Sequence, residues 1–109
     1  MSPTLERGLD LIRSGDYFAA HEELEDVWRT AAKDERDFFQ GLVHVAVAWY
    51  QAGRGKAVGC ERQLEKAERR LRPYAPSHRG VDLDAVLASV ADAAASVRGG
   101  SLDLAAPKL

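Results

Sequence analysis

The chain has 109 residues, of which 46% are hydrophobic and 29% are charged, an ordinary balance for one globular domain. Its formal net charge of −2 at pH 7 shows no basic excess, so nucleic acid is not an expected partner. A single cysteine excludes an internal disulfide, and the longest apolar stretch, residues 41–50, is too short for a membrane span of about 20 residues. Because the N-terminus also lacks a signal-peptide pattern, the sequence indicates a cytoplasmic protein without a membrane segment.

Two helices joined by a tight turn open the chain. Ser2 and Pro3 predict the start of the first helix, because serine is a favoured N-cap and proline is tolerated in the first turn. This helix should end near Gly15, and Asp16 predicts the cap of a second helix. The apolar stripe of the second helix recurs at helical spacing: Tyr17, His21, Leu24, Trp28 and Ala31.

A third helix is expected from about Glu35 to Ala52, with Asp34 or Asp37 as its cap. It is apolar around most of its circumference, which is typical of the central helix of a bundle. Its polar exceptions share one strip: Gln40, His44 and Gln51. Large aromatic side chains are spread around it: Phe38, Phe39, Trp49 and Tyr50. Since neighbouring helices can leave part of such a surface uncovered, we expect a homo-oligomer.

The second half of the chain predicts two more helices. The fourth runs from about Lys56 to Leu71, and Asp82 caps a fifth that ends at Gly99. Residues 73–80 should form a loop, and no segment shows the alternation of a strand. Four arginines near that loop indicate a solvated helix end rather than a nucleic-acid surface: Arg69, Arg70, Arg72 and Arg79.

These elements predict an all-α fold, a compact single-domain bundle of about five helices packed as helix hairpins. The domain should span residues 1–100. The tail, residues 101–109, either docks on the bundle or stays mobile, and the sequence leaves both alternatives open.

A candidate site lies on the second and third helices. His21 sits in the apolar stripe, and Glu25 follows one helical turn later as the one acidic residue of that helix expected to lean toward the core. Gln40 and His44 have the same spacing on the third helix. If the two helices pack face to face, these four side chains meet. Tyr17 and Trp28 would line the same site.

The residues leave several interpretations of this site open. A buried polar network could fix the register of the two helices. Alternatively, His21, Glu25 and His44 could ligate a divalent transition metal, because helical bundles build such sites from inward-facing imidazoles and carboxylates. The site could also hold a small molecule or a partner, and the His21–Glu25 pair could act in acid–base chemistry.

The segment from Gly15 to Trp28 carries the pattern His-x-x-x-Glu-x-x-Trp, formed by His21, Glu25 and Trp28. It resembles the hallmark of the bacterial and archaeal domain-of-unknown-function family numbered 309 (DUF309). Further blocks resemble the same family at 35–42, 45–48, 53–55, 71–74 and 80–82, so the resemblance covers about residues 5–90.

The resemblance implies a compact helical domain without an established activity, and it suggests that the motif binds metal. In this family the position of His44 is more often Gln, so a site that requires His44 would be particular to this chain. The expected function is a binding or interaction module with a buried His–Glu site between helices two and three. The alternative is a metal-binding protein or metal-dependent enzyme that uses His21 and Glu25, and whether the chain is an enzyme stays open.

Overall fold

The computed structural model describes residues 2–109. It contains five α-helices: α1 (Leu5–Arg13), α2 (Tyr17–Arg29), α3 (Arg36–Gly53), α4 (Ala57–Leu71) and α5 (Leu83–Arg98). Short 3-10 turns at Lys33–Glu35 and Arg72–Tyr74 and a two-stranded hairpin, β1 (Ser77–His78) and β2 (Val81–Asp82), complete the architecture. The prediction of an all-α bundle of about five helices is confirmed.

Side chains cap three of the helices. The predicted caps are confirmed at Asp16, which accepts from the Ala19 amide at 3.3 Å, and at Asp82, which accepts from the Ala85 amide at 3.0 Å. The predicted Ser2 cap is wrong. Thr4 caps α1 instead, because its backbone is extended and its hydroxyl accepts the Arg7 amide at 3.1 Å.

The start of α3 also differs from the prediction. Neither Asp34 nor Asp37 caps it, and the 3-10 turn at Lys33–Glu35 leads directly into the helix. Glu35 occupies the cap position without a side-chain bond to the helix. Its carboxylate is engaged elsewhere, since it accepts from His78 Nε2 at 2.8 Å and from the Arg79 guanidinium.

The helices pack in chain order, α1 on α2, α2 on α3, α3 on α4 and α4 on α5. Glycine permits two of these close approaches. A Cβ at Gly8 would lie 2.5 Å from Leu24 Cδ2 across the α1–α2 contact. A Cβ at Gly41 would lie 2.5 Å from Leu71 Cγ across the α3–α4 contact. This sequential packing agrees with the predicted arrangement of helix hairpins.

Helix α3 is the centre of the core, as predicted, and three of its four aromatic side chains are covered within the chain. Phe38, Phe39 and Trp49 are 0%, 3% and 4% exposed. Phe38 makes an edge-to-face contact with the ring of His78 in the hairpin, and Trp49 Nε1 donates to the Ala105 carbonyl at 3.0 Å. Three of the four aromatic side chains on which we based the homo-oligomer are therefore covered, whereas Tyr50 stays half-buried, and the homo-oligomer remains a prediction.

The hairpin and the tail supply this cover. Tyr74 donates its hydroxyl to the Asp34 carbonyl at 2.7 Å, which ties the segment after α4 to the start of α3. Strand β1 lies within the loop predicted at 73–80 and β2 directly follows it, and both strands are too short, at two residues each, to show alternation in the sequence. In the tail, Pro107 is buried and the Lys108 amide donates to Ser89 Oγ at 3.0 Å. Among the helices of residues 2–109, none combines the length and apolarity that crossing a bilayer requires.

Candidate functional site

His21 and Glu25 lie together on α2, at the surface of the bundle. The His21 Nδ1 atom is 2.6 Å from the Phe18 carbonyl, which can only accept, so Nδ1 carries the proton and donates it. In the neutral imidazole Nε2 is then an acceptor, and it lies 4.0 Å from Glu25 Oε2. The two side chains are 24% and 39% exposed. The expectation of a buried His–Glu site is therefore wrong.

The reason is the direction of the buried face of α2. Ala20 and Leu24 are its fully buried residues, and both point into the core. His21 and Glu25 follow them by one position each, which rotates them by about 100° around the helix axis. They consequently lie on the flank of the buried stripe instead of at its centre.

A small polar pocket surrounds the pair. It has a volume of about 180 Å³ and is lined by His21, Glu22, Glu25, Asp26 and Arg29. Arg29 bridges two of the carboxylates, at 3.3 Å from Glu25 and 2.6 Å from Asp26. Three carboxylates and one guanidinium leave this pocket with an excess of negative charge.

Glu23, and not Glu25, is the most enclosed acidic residue of α2. Its side chain is 16% exposed, and its carboxylate accepts the Thr4 amide at 2.9 Å and lies 3.6 Å from Arg7 Nε. The expectation that only Glu25 leans inward is therefore wrong. The helical wheel of α2 gave no signal for this role, because the partners of Glu23 belong to α1.

His44 is directed to α4 and does not join the His21–Glu25 pair. It is buried, and its Nδ1 lies 2.7 Å from Gln63 Oε1, while the buried Nε2 atom has no hydrogen-bond partner among the described residues. Burial lowers the pKa of His44, the Gln63 hydrogen bond raises it, and the nearby Arg70 guanidinium lowers it further. Gln40 is half-buried on α3.

The three predicted metal ligands therefore do not form one group. Among residues 2–109, no cluster of three or more His, Cys, Asp or Glu side chains has the arrangement to hold a metal ion. His21 and Glu25 alone supply two ligand atoms at the surface.

Trp28 and Tyr17 hold other positions on α2. The Arg36 guanidinium lies 4.5 Å from the centre of the Trp28 ring, so Trp28 joins the end of α2 to the start of α3 by a cation–π contact. Tyr17 is half-buried, and burial raises the pKa of its hydroxyl. Tyr17 also lines a groove that the sequence analysis did not find.

This aromatic groove lies between the start of α2 and the end of α3 and has a volume of about 420 Å³. Its lining includes Tyr17, Phe18, Trp49, Tyr50 and Arg54. Phe18 is 49% exposed, and its ring centre is 5.4 Å from that of Tyr50 and 4.9 Å from that of His21. Phe18 thus lines the aromatic groove and contacts His21, which lines the polar pocket of the motif.

The fold and the motif define a small all-α domain with a surface His–Glu pair beside an aromatic groove. A family model described as "Domain of unknown function (DUF309)" matches residues 5–63, more than half of the chain, so the protein belongs to this family. The matched segment contains α1 to α3 and the whole His-x-x-x-Glu-x-x-Trp motif. Comparison with curated proteins and with solved structures gives no match.

Proposed function

We propose that this domain is a binding module. In this proposal the aromatic groove holds an apolar or aromatic anchor of a partner polypeptide, and the His21–Glu25 pair receives a hydrogen-bond donor beside that anchor. The observation that carries the proposal is the half-exposed ring of Phe18, which contacts both Tyr50 in the groove and His21 in the motif.

Phe18 provides the apolar part of the recognition. An aromatic side chain buries about 200 Å², so covering its exposed half removes about 100 Å² from water and contributes about 2.5 kcal/mol. A contribution of this size is typical of an interface hot spot. The neighbouring Tyr50 ring is itself covered in part by the Arg54 guanidinium, 5.7 Å from its centre.

The motif provides the polar part. With a neutral imidazole, His21 Nε2 and Glu25 Oε2 are both acceptors, and they lie 4.0 Å apart without a bond between them. An N–H donor placed between them can therefore bond to both. The negative excess of the polar pocket favours a donor that is cationic. The chemistry of the pair thus favours an ammonium or guanidinium group next to the apolar anchor.

Tryptamine, which joins an aromatic ring to an ammonium group, is a suitable probe for this arrangement. We expect it to bind with a Kd of about 1–10 mM, given its size, and to shift the amide signals of α2 and the end of α3 in nuclear magnetic resonance titrations. Indole-3-acetate, with the same ring and a negative charge, should bind more weakly.

Two variants and one matched control separate the contributions. Phe18→Ser should abolish tryptamine binding, whereas Val58→Ser, which alters another exposed apolar residue, should leave it unchanged. Glu25→Gln should remove the preference for tryptamine over indole-3-acetate. Equal binding by the Phe18 and Val58 variants would overturn the proposal.

Metal binding by the His21–Glu25 motif, the alternative function, stays a prediction of the sequence. Metal content measured by mass spectrometry on untagged protein tests it, with His21→Ala as the companion variant. A transition metal at near one equivalent in the original chain and absent from the variant would support a metal site. Such a metal would occupy the position that the proposal gives to the partner's hydrogen-bond donor at the His21–Glu25 pair.

A further inference from the structure

The tail, residues 101–109, and the aromatic groove both contact one side chain, Trp49. The ring of Trp49 belongs to the lining of the groove but is only 4% exposed, so it forms part of the floor. Its Nε1 atom donates to the Ala105 carbonyl of the tail at 3.0 Å. The groove is otherwise lined by residues within 15–18 and 50–54, and none of the described tail residues is among them. Trp49 is therefore the residue through which the tail reaches the groove.

Few contacts hold the tail on the bundle. Residues 101–109 form no helix or strand. Past Ser101, two hydrogen bonds join them to the described helices, one from Trp49 Nε1 and one to Ser89 Oγ. A segment with so few hydrogen bonds and no secondary structure opens more readily than the helices that it covers. Docking of the tail is thus an equilibrium, and a ligand that binds the docked state more tightly shifts it toward docking.

Detachment of the tail removes the acceptor of the Trp49 indole. The indole N–H can only donate, and a buried donor without a partner is unfavourable because it has lost its hydrogen bond to water. The ring is then expected to turn until the N–H meets water, and the groove is an open space that the ring already borders. An indole turned into the groove would occupy the volume that the aromatic anchor of a partner needs.

We propose that the tail controls the aromatic groove through Trp49, which acts as a positioning residue for the anchor of the partner. With the tail docked, the indole is fixed in the floor and the groove is preorganised for the anchor. With the tail detached, the indole is no longer fixed and the groove loses affinity. Because such coupling is reciprocal, an occupied groove also favours the docked tail. This inference rests on the proposed function, since it concerns the regulation of the same groove.

Shortening the tail tests the inference. A chain that ends at Leu104 lacks the Ala105 carbonyl but keeps the first part of the tail. It should bind tryptamine about tenfold more weakly than the original chain in nuclear magnetic resonance titrations, because the buried indole donor has lost its acceptor. The matched control Leu109→Ser alters a half-buried tail residue and leaves Ala105 in place, so its affinity should be unchanged. Circular dichroism of each variant verifies that the helices are retained.

Two further readouts separate positioning from a general loss of stability. Trp49→Phe keeps an aromatic ring in the floor but cannot bond to Ala105, so in this background the shortened tail should no longer change the affinity for tryptamine. In the original chain, tryptamine should slow hydrogen exchange of the Trp49 indole N–H, because an occupied groove favours the docked tail. The indole N–H of Trp28, which does not line the groove, is the internal control and should exchange at an unchanged rate.

The outcomes distinguish this inference from the proposed function. Equal tryptamine affinity of the original and shortened chains overturns the inference and leaves the proposed function standing. An equal loss of affinity on shortening in the Trp49→Phe background also overturns it. If the original chain does not bind tryptamine, the proposed function fails, and the ligand-free chains decide the inference. Shortening the tail should then still shift the amide signals of Tyr17 and Phe18 in the groove, and unchanged signals would overturn the inference.

Discussion

Gly41→Ala tests the close contact between α3 and α4. The added Cβ would lie 2.5 Å from Leu71 Cγ and 2.6 Å from its Cδ2, whereas carbon atoms pack at about 3.5–4.0 Å. Leu71 is fully buried, so it cannot swing into solvent. Overpacking of this kind costs about 1–3 kcal/mol, and the better helix propensity of alanine returns about 1 kcal/mol. Because the overlap with Leu71 is about 1 Å, we take the upper part of this range, about 2–3 kcal/mol, which leaves a net loss of about 1–2 kcal/mol in the free energy of unfolding.

Thermal and urea unfolding, followed by circular dichroism, measure this loss, which should lower the Tm by about 5–15 °C. Gly53→Ala is the matched control on the same helix, since no heavy atom lies within 4 Å of its Cβ position. In a Leu71→Ala background the clashing atoms are gone, and Gly41→Ala should no longer destabilise the protein. The reasoning is refuted if Gly41→Ala is as stable as the original chain, or if its effect is the same in both backgrounds.

Three further predictions concern the buried histidine, the hairpin and the tail. Burial lowers the pKa of His44 below 6.5, so on acidification the unfolded chain binds a proton before the folded chain does. The free energy of unfolding should therefore decrease as the pH is lowered past about 6.5. His44→Gln should flatten this part of the pH profile measured by urea unfolding. Hydrogen bonds from Arg79 and His78 lower the pKa of Glu35 below 4.5. Glu35→Gln should therefore cost about 1 kcal/mol at neutral pH, and this difference from the original chain should vanish as the pH falls through the pKa of folded Glu35. Truncation after residue 100 removes the acceptor of Trp49 Nε1, so tryptophan emission should shift to longer wavelength, and an unchanged spectrum would show that the tail is not part of the domain.

Local signals in the sequence were sufficient for the helices and most of their ends. Asp16 and Asp82 were identified as caps because an N-cap bond joins residues only three positions apart. The choice between Ser2 and Thr4 failed, since both residues are good caps and the decision depends on where the chain becomes extended. The sequence did not show that Glu35 would occupy the cap position of α3 without bonding to the helix. The side-chain partners of Glu35 lie in the distant hairpin, so no local pattern indicates them.

The position of the candidate site required knowledge of the tertiary packing. The apolar arc of α2 includes Leu24 as well as His21, and its centre was predicted at His21. Contacts with α1 and α3 instead bury the side of α2 that carries Ala20 and Leu24. His21 and Glu25 each follow one position later, so they are rotated by about 100° toward solvent. The cover of Trp49 could not be predicted for the same kind of reason, since its partner Ala105 lies 56 positions later in the chain.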